Sequence, residues 1–298
     1  MDVVRLKAIA LLVVLCACGT ARGQESAQEP AAGERLALIL KRVGESAERY
    51  HGGMFSVRFT ETLRQEELKE DLKTAKESKE YVYDSVMLRE ELSEEEGDYV
   101  AVTTRRLVSL DGKPRKKEGE TKVTSVYSLN VMLPRYQKLY QISLEGEEML
   151  DGRRAFRLAL LRPGEGEPRV EWEGSRFRVV APTKTRVWVD ADSYDVIQIE
   201  SALVAPFEFE SPGLLRAGPF GRFGPTKRLR YAREDSLVRF RRVQFKDPEQ
   251  TLLLPESAEW LKVIEGASRP RTRHRIAFSD YRRFVSGVRV VEEQEPDE

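Results

Sequence analysis

The sequence predicts a mainly β protein: a curved, incomplete antiparallel β-barrel of about a dozen strands, with an N-terminal α-helix packed on it or in it. Three observations predict this. Many short runs alternate apolar and polar residues with the period of two that a strand face imposes. Clusters of Gly, Pro, Asp and Ser separate these runs at short intervals. One strong helical stripe stands in front of them, and neither βαβ alternation nor a solenoid-length repeat follows.

The chain opens with MDVVRLKAIALLVVLCACGTARGQ. Arg5 and Lys7 form a short basic region, Ala8 to Leu15 an apolar one, and Ala21-Arg22-Gly23 a small-x-small cleavage site, so residues 1–23 read as an export signal. A second reading stays open. Leu15-Cys16-Ala17-Cys18 resembles a lipobox, which would acylate Cys18 and anchor the chain in the outer membrane. Either way the expected location is the periplasm. Both cysteines of the chain lie in this segment. An internal disulfide, a thiolate zinc site and a cysteine nucleophile are therefore excluded from the rest. No other stretch is long and apolar enough for a transmembrane helix.

Residues 24–32 read as a small, polar tether, residues 33–291 as one β domain, and residues 292–298 as an acidic tail. The domain begins with ERLALILKRVGESAERYHGG, where Leu36, Leu40, Val43, Ala47 and Tyr50 form one helical stripe. Gly52 and Gly53 are expected to end this helix in a left-handed cap. In MFSVRFTETL, Phe55, Val57, Phe59 and Leu63 share one strand face. Residues 64–80 are heavily charged and read as a helical turn or a solvated loop. EYVYDSVMLRE and DYVAVTTRRLVSL are strands, and Asp111-Gly112 is a turn. VYSLNVMLPRY has no period of two and reads as a short helix.

Strand, Asp151-Gly152 turn and strand follow in QKLYQISLEGEEMLDGRRAFRLALLRP. RVEWEGSRFRVVAP leads into the hairpin TRVWVDADSYDVIQIES. Residues 206–226 are rich in Pro and Gly and are expected to stay out of the sheet as a loop, although they carry large apolar side chains. KRLRYARE, SLVRFRRVQF, TLLLPESAEWLKVIE and RHRIAFSDYRRFVSG read as four closing strands.

The clearest candidate for chemistry is the acidic stretch between Val189 and Val196. A calcium loop starting at Asp190 needs a glycine at position six and a glutamate at position twelve, where this chain has Asp195 and Ser201. The flanking Val, Trp and Ile residues point to a hairpin turn instead, and exchanging Asp192 and Asp195 for Asn is expected to change stability little. His51 is expected at a helix end, where it favours the helix dipole, and His274 at a strand entrance. No sequence motif for hydrolysis, nucleotide binding or dinucleotide binding occurs, so no catalytic residue, cofactor or metal is assigned. Lys and Arg total 50 and Asp and Glu total 50, a balance that argues against a dedicated nucleic-acid binder. Arg269, Arg271, Arg273 and Arg275 read as a solvent face, with contact to anionic lipid as the weaker alternative.

The strand-turn-strand YQISLEGEEMLDGRRAFRLALLRP, the hairpin TRVWVDADSYDVIQIES, the late strand LPESAEW and the closing FSDYRRF resemble the periplasmic lipoprotein carrier and sorting superfamily of LolA/LolB-like fold. The resemblance covers residues 136–285 well and the front half loosely. It implies an incomplete antiparallel barrel with helical lids and a hydrophobic cavity for acyl chains. The implied function is non-enzymatic: binding of acyl chains of a lipoprotein or lipid, with a membrane surface as a further partner. The alternative is an envelope scaffold on the same fold with a filled core. Phe55, Val57, Phe59, Trp188, Ile197 and Ile199 are the candidate cavity lining, and Leu214, Leu215, Phe220 and Phe223 the candidate lid. The chain departs from the family in its charged stretch at 64–80 and its Gly/Pro/Phe stretch at 206–226, and no lid-locking arginine carries over.

Overall fold

The structure, a computed structural model, describes residues 32–54, 57–91, 99–115, 121–124, 129–163, 166–173, 176–214, 223–246 and 249–283. It begins with helix α1 (Ala32–Met54), followed by β1 (Val57–Leu68), β2 (Ala75–Glu91), β3 (Tyr99–Leu110), β4 (Lys113–Pro114) and β5 (Thr121–Thr124). A 3-10 turn (Asn130–Met132) and the short α2 (Pro134–Gln137) come next. Then follow β6 (Gln141–Leu150), β7 (Arg153–Leu161), β8 (Arg169–Glu173), β9 (Arg176–Val180), β10 (Thr183–Asp190) and β11 (Val196–Leu203). The last strands are β12 (Phe207–Leu214), β13 (Phe223–Lys246), β14 (Glu249–Glu265) and β15 (Arg271–Arg283).

Thirteen strands form one antiparallel sheet in the order β4-β3-β2-β1-β15-β14-β13-β11-β10-β7-β6, with β12 added on β13 and β5 on β3. β8 and β9 pair only with each other. The end strands β4 and β6 do not meet, so the barrel is incomplete. Its curvature follows from the core: Met87 of β2, Leu158 of β7, Val187 of β10 and Phe240 of β13 join one buried cluster with Ile39, Val43, Ala47, Tyr50 and Met54 of α1. The face turned toward α1 is called the inner face below.

The helix stripe does what its spacing predicts. Val43 and Ala47 are fully buried and Tyr50 nearly so, while Leu36 and Leu40 lie at the margin of the cluster. Tyr50 meets the edge of Phe240 with ring centroids 5.7 Å apart, a geometry worth about 1 kcal/mol beyond the area it buries. The two Asp-Gly turns also hold. Asp111 and Gly112, and Asp151 and Gly152, all have positive φ, as a two-residue type I′ hairpin requires.

Four expectations need correction. Gly52 and Gly53 do not end α1, which runs on to Met54. Gly53 serves packing instead: a Cβ placed there would lie 2.7 Å from Leu252 Cδ2. Residues 64–80 are neither a helical turn nor a solvated loop: 64–68 end β1, 75–80 begin β2, and only 69–74 form the turn between them. The Asp71 carboxylate accepts hydrogen bonds from the amides of Lys73 and Thr74, each at 2.9 Å, and from Thr74 Oγ1 at 2.6 Å. Of residues 206–226, those that are described do not stay out of the sheet: 207–214 form β12 and 223–226 open β13, and Pro212 is tolerated because it falls at the register shift between Ser211 and Gly213. KRLRYARE and SLVRFRRVQF are one strand, β13, with register shifts at Tyr231/Arg233 and Arg239/Phe240 in place of a turn. Opposite the second shift, Pro255 sits inside β14 without breaking it.

The arginine run also differs from the expected solvent face. Arg273 and Arg275 converge on Glu66, which is 2% exposed, with N–O distances of 2.8 Å, and Arg64 lies 3.1 Å from the same carboxylate. Burial works against the charge of Glu66, but the hydrogen bonds from Arg275 and Arg273 outweigh it and hold the carboxyl below its usual range.

Candidate functional site

α1 covers only part of the inner face. It rests on the end of the sheet that carries Leu252, Leu254, Ala258, Val238 and Phe240. Side chains alternate along a strand, so the inner face of β14 continues past Ala258 through Trp260, Lys262 and Ile264. The pairings place His274 of β15 beside Trp260, Ser236 and Glu234 of β13 beside Trp260 and Lys262, and Tyr231 beside Ile264. Leu63 of β1, Ile199 of β11 and Trp260 are half-buried at the edge of the core cluster. They form an apolar rim just beyond the helix.

A polar band crosses the face past this rim. The Gln65 amide donates to His274 Nε2 at 2.9 Å, and the hydroxyls of Thr185 and Ser201 are 2.7 Å apart. Burial, with the positive charge of Lys262 as a second cause, lowers the His274 pKa, so the ring is a neutral hydrogen-bonding group. Toward β2 and β3 the same face holds a charge: Glu61, with no exposed surface, lies 2.7 Å from Arg105 Nε. Burial pushes the Glu61 carboxyl up to about 7 despite that arginine.

At the far end the face turns aromatic. Phe207, Phe209 and Tyr231 of the β12–β13 hairpin cluster with centroid separations of 5.4 to 6.4 Å. The separate β8–β9 hairpin leans on them: Phe177 is 6.3 Å from Phe209, and Trp172 is 5.3 Å from Phe177. Lys262 Nζ lies over the rings of Phe177 at 5.7 Å and Tyr231 at 5.8 Å. The region is thus an apolar rim, a hydrogen-bonding band and an aromatic patch under a two-stranded cover. Such a surface suits an amphiphile.

The outer face differs in kind. Grooves of about 330 and 390 Å³ there include many charged residues, among them Lys184, Arg186, Glu200 and Arg233 in one, and Arg64, Arg239, Glu259 and Arg275 in the other. Among the described residues no three His, Cys, Asp or Glu side chains are grouped as metal ligands.

The five described candidate lining residues do not come together. Val57 and Phe59 are buried beneath the helix, and Ile199 lies on the rim. Trp188 and Ile197 belong to a separate small cluster with Ala155 and Leu150. The physical reason is the pleat. Val187 and Val189 are inner-core residues, so Trp188 between them must face outward, and the register shift between Trp188 and Val189 turns Ile197 the same way. Phe55, Leu215, Phe220 and Cys18 lie outside the described residues, as do the export signal and the acidic tail. Leu214 and Phe223 face each other as the last pair of the β12–β13 hairpin.

The acidic turn has a structural use. Asp190 Oδ1 accepts hydrogen bonds from the amides of Asp192 and Ser193 and from Ser193 Oγ. Asp195 accepts from Ser46 Oγ of α1 and from Arg242 Nε. It is therefore an anchor for the helix, not an exchangeable turn residue. Sequence reasoning missed this, and it missed Trp260, Lys262 and the Trp172–Phe177 pair. The alternation in AEWLKVI carried the signal for Trp260 and Lys262, since one strand face there holds a tryptophan and a lysine.

Neither a family model nor a curated protein matches the sequence. Among solved structures the chain is similar to an outer membrane lipoprotein-sorting protein domain from Vibrio parahaemolyticus, at 12% identity and a TM-score of 0.43 over 85% of this chain and 94% of that one. It is similar to a LolA superfamily protein from Nitrosomonas europaea, at 13% identity and a TM-score of 0.35 over 84% and 93% of the two chains. A DUF1329 family protein from Desulfovibrio piger is similar at 9% identity and a TM-score of 0.38 over 83% and 94%.

Proposed function

We propose that this chain is an exported, non-enzymatic binding protein that holds the acyl chain of a lipid or lipoprotein against the inner face of its sheet, beyond α1. One observation carries the reading. The apolar surface extends past the end of the helix through Leu63, Ile199 and Trp260, half-buried, and resumes beyond the polar band in the aromatic patch under β8–β9. An acyl chain laid from rim to patch gains about 0.8 kcal/mol per buried CH₂, less the cost of ordering the chain and lifting the cover. Binding here needs no reacting group, in keeping with a site built of hydrogen-bonding and apolar side chains. Export rests on residues 1–23, and acylation of Cys18 would place the site at a membrane surface. Leu214, Leu215, Phe220 and Phe223 remain the proposed lid.

A second reading has an observation of its own. Ile39, Val43, Ala47, Tyr50 and Met54 are each at most 2% exposed, so α1 fills its half of the barrel, as a scaffold protein requires. Titration with a fluorescent fatty acid separates the two. Binding predicts saturable uptake by the wild type and roughly a fivefold loss in Trp260→Ser, about 1 kcal/mol, with an unchanged circular dichroism spectrum. A folded wild type that takes up no probe supports the scaffold.

A further inference from the structure

The proposed acyl surface ends at a pair of opposite charges. Glu234 and Lys262 face each other across β13 and β14, with Glu234 Oε1 3.7 Å from Lys262 Nζ. At that separation the two form an ion pair without a hydrogen bond between them. Their side chains are 32% and 36% exposed, open enough to be reached. Tyr231 donates its hydroxyl hydrogen bond to Glu234 Oε2 at 2.7 Å and so orients the carboxylate. The Lys262 ammonium lies over the rings of Phe177 and Tyr231, and this attraction helps hold it in place beside Glu234.

The two charges select the ligand. A purely anionic head group brings its charge beside Glu234. A purely cationic one meets Lys262. A head group with both charges satisfies both. The geometry points to a zwitterionic head, an ammonium and a phosphate on one amphiphile, with the ammonium on Glu234 and the phosphate on Lys262. This rests on the acyl-chain reading, because Trp260 precedes Lys262 by two positions on β14 and shares its face.

The test compares three single-chain amphiphiles of equal chain length, each below its micelle concentration: a lysophosphatidylethanolamine, a lysophosphatidylglycerol and an alkyltrimethylammonium. Calorimetry of the full chain should show the zwitterion bound about tenfold tighter than either singly charged head. Glu234→Gln, which keeps an acceptor for Tyr231, should raise the anion to the level of the zwitterion, and Lys262→Gln should do the same for the cation. If the wild type binds all three within about twofold, or if each substitution weakens all three alike, the zwitterion site is overturned and the acyl-chain reading survives. If the wild type binds none of them while folded, both fail.

Discussion

Ser46 of α1 donates a hydrogen bond of 2.6 Å to Asp195, 149 residues further along the chain, and Arg242 of β13 meets the other carboxylate oxygen at 2.6 Å. Helix, β10–β11 turn and longest strand are bolted together at one side chain. Asp195 is 6% exposed, so its hydrogen bonds compete little with water. Asp195→Ala is expected to cost about 2 kcal/mol, the range of hydrogen bonds to a charged group. Asp192→Asn is expected to stay within about 0.5 kcal/mol, because its side chain is 87% exposed and touches only Arg154. Urea unfolding of the two variants checks the contrast. Equal costs would remove the anchor role.

Two neighbouring glycines should respond in opposite directions to alanine. Both lie inside α1, where alanine gains up to about 1 kcal/mol in helix propensity. Nothing lies within 4 Å of a Cβ at Gly52, so Gly52→Ala should stabilise. At Gly53 the Cβ would press on Leu252, itself buried in the core. Overpacking costs typically 1–3 kcal/mol and wins over the propensity gain, so Gly53→Ala should destabilise by about 1 kcal/mol. Thermal unfolding of the pair reads both signs.

Two buried groups should make stability depend on pH with opposite slopes. Burial pushes Glu61 from 4.5 up to about 7, so the folded state holds a proton that the unfolded chain has released. Its contribution is complete below pH 4.5 and is lost as the pH rises to about 7. Burial, helped by the charge of Arg135, lowers His51 from 6.5 to about 4. The unfolded chain then binds the extra proton, and this contribution is lost as the pH falls from 6.5 toward 4. Melting temperatures of Glu61→Gln across this range should therefore rise more steeply with pH than those of the wild type. Those of His51→Phe should rise less steeply. Parallel curves for wild type and variants would refute the assignment.

The Glu66 cluster gives a salt-dependent prediction. Glu66→Ala leaves Arg273, whose side chain is 15% exposed, beside Arg64 and Arg275 at 52% and 43%. A fully buried pair would cost about 3–5 kcal/mol to break. Water screens two of these three arginines, so about 2 kcal/mol is expected here, with part of the loss recovered at high salt. A loss below about 0.5 kcal/mol at any salt concentration would mark the cluster as an ordinary surface ion pair.

The strands are legible in the sequence wherever one face is buried and the other is wet, as in VRFTETL, where alternation sets both the period and the face. Legibility fails where a rule of local chemistry is overridden at a distance. Pro212 reads as a breaker because its missing amide cannot pair, yet a register shift excuses it. Glu66 reads as a solvated charge because its arginines arrive from a strand more than 200 residues later. Gly53 reads as a cap because Leu252 cannot be seen from α1. The error at Trp188 and Ile197 is of another kind. Alternation alone puts Ile197 on the face of Ile199, and only the register shift between Trp188 and Val189 turns it to the other side with Trp188. The rim at Trp260 depends on where α1 ends over the sheet, which no local pattern encodes.

The central claim is that an acyl chain lies on the inner face at Trp260. The chain has three tryptophans, Trp172, Trp188 and Trp260, so Trp172→Phe with Trp188→Phe leaves Trp260 as the sole reporter. The most direct measurement is quenching of its emission by a fatty acid brominated along the chain, which requires near contact between bromine and indole. The account predicts saturable quenching, reversed by an excess of the unbrominated acid. Emission that stays unchanged while the folded protein is titrated past a saturating probe concentration would contradict it.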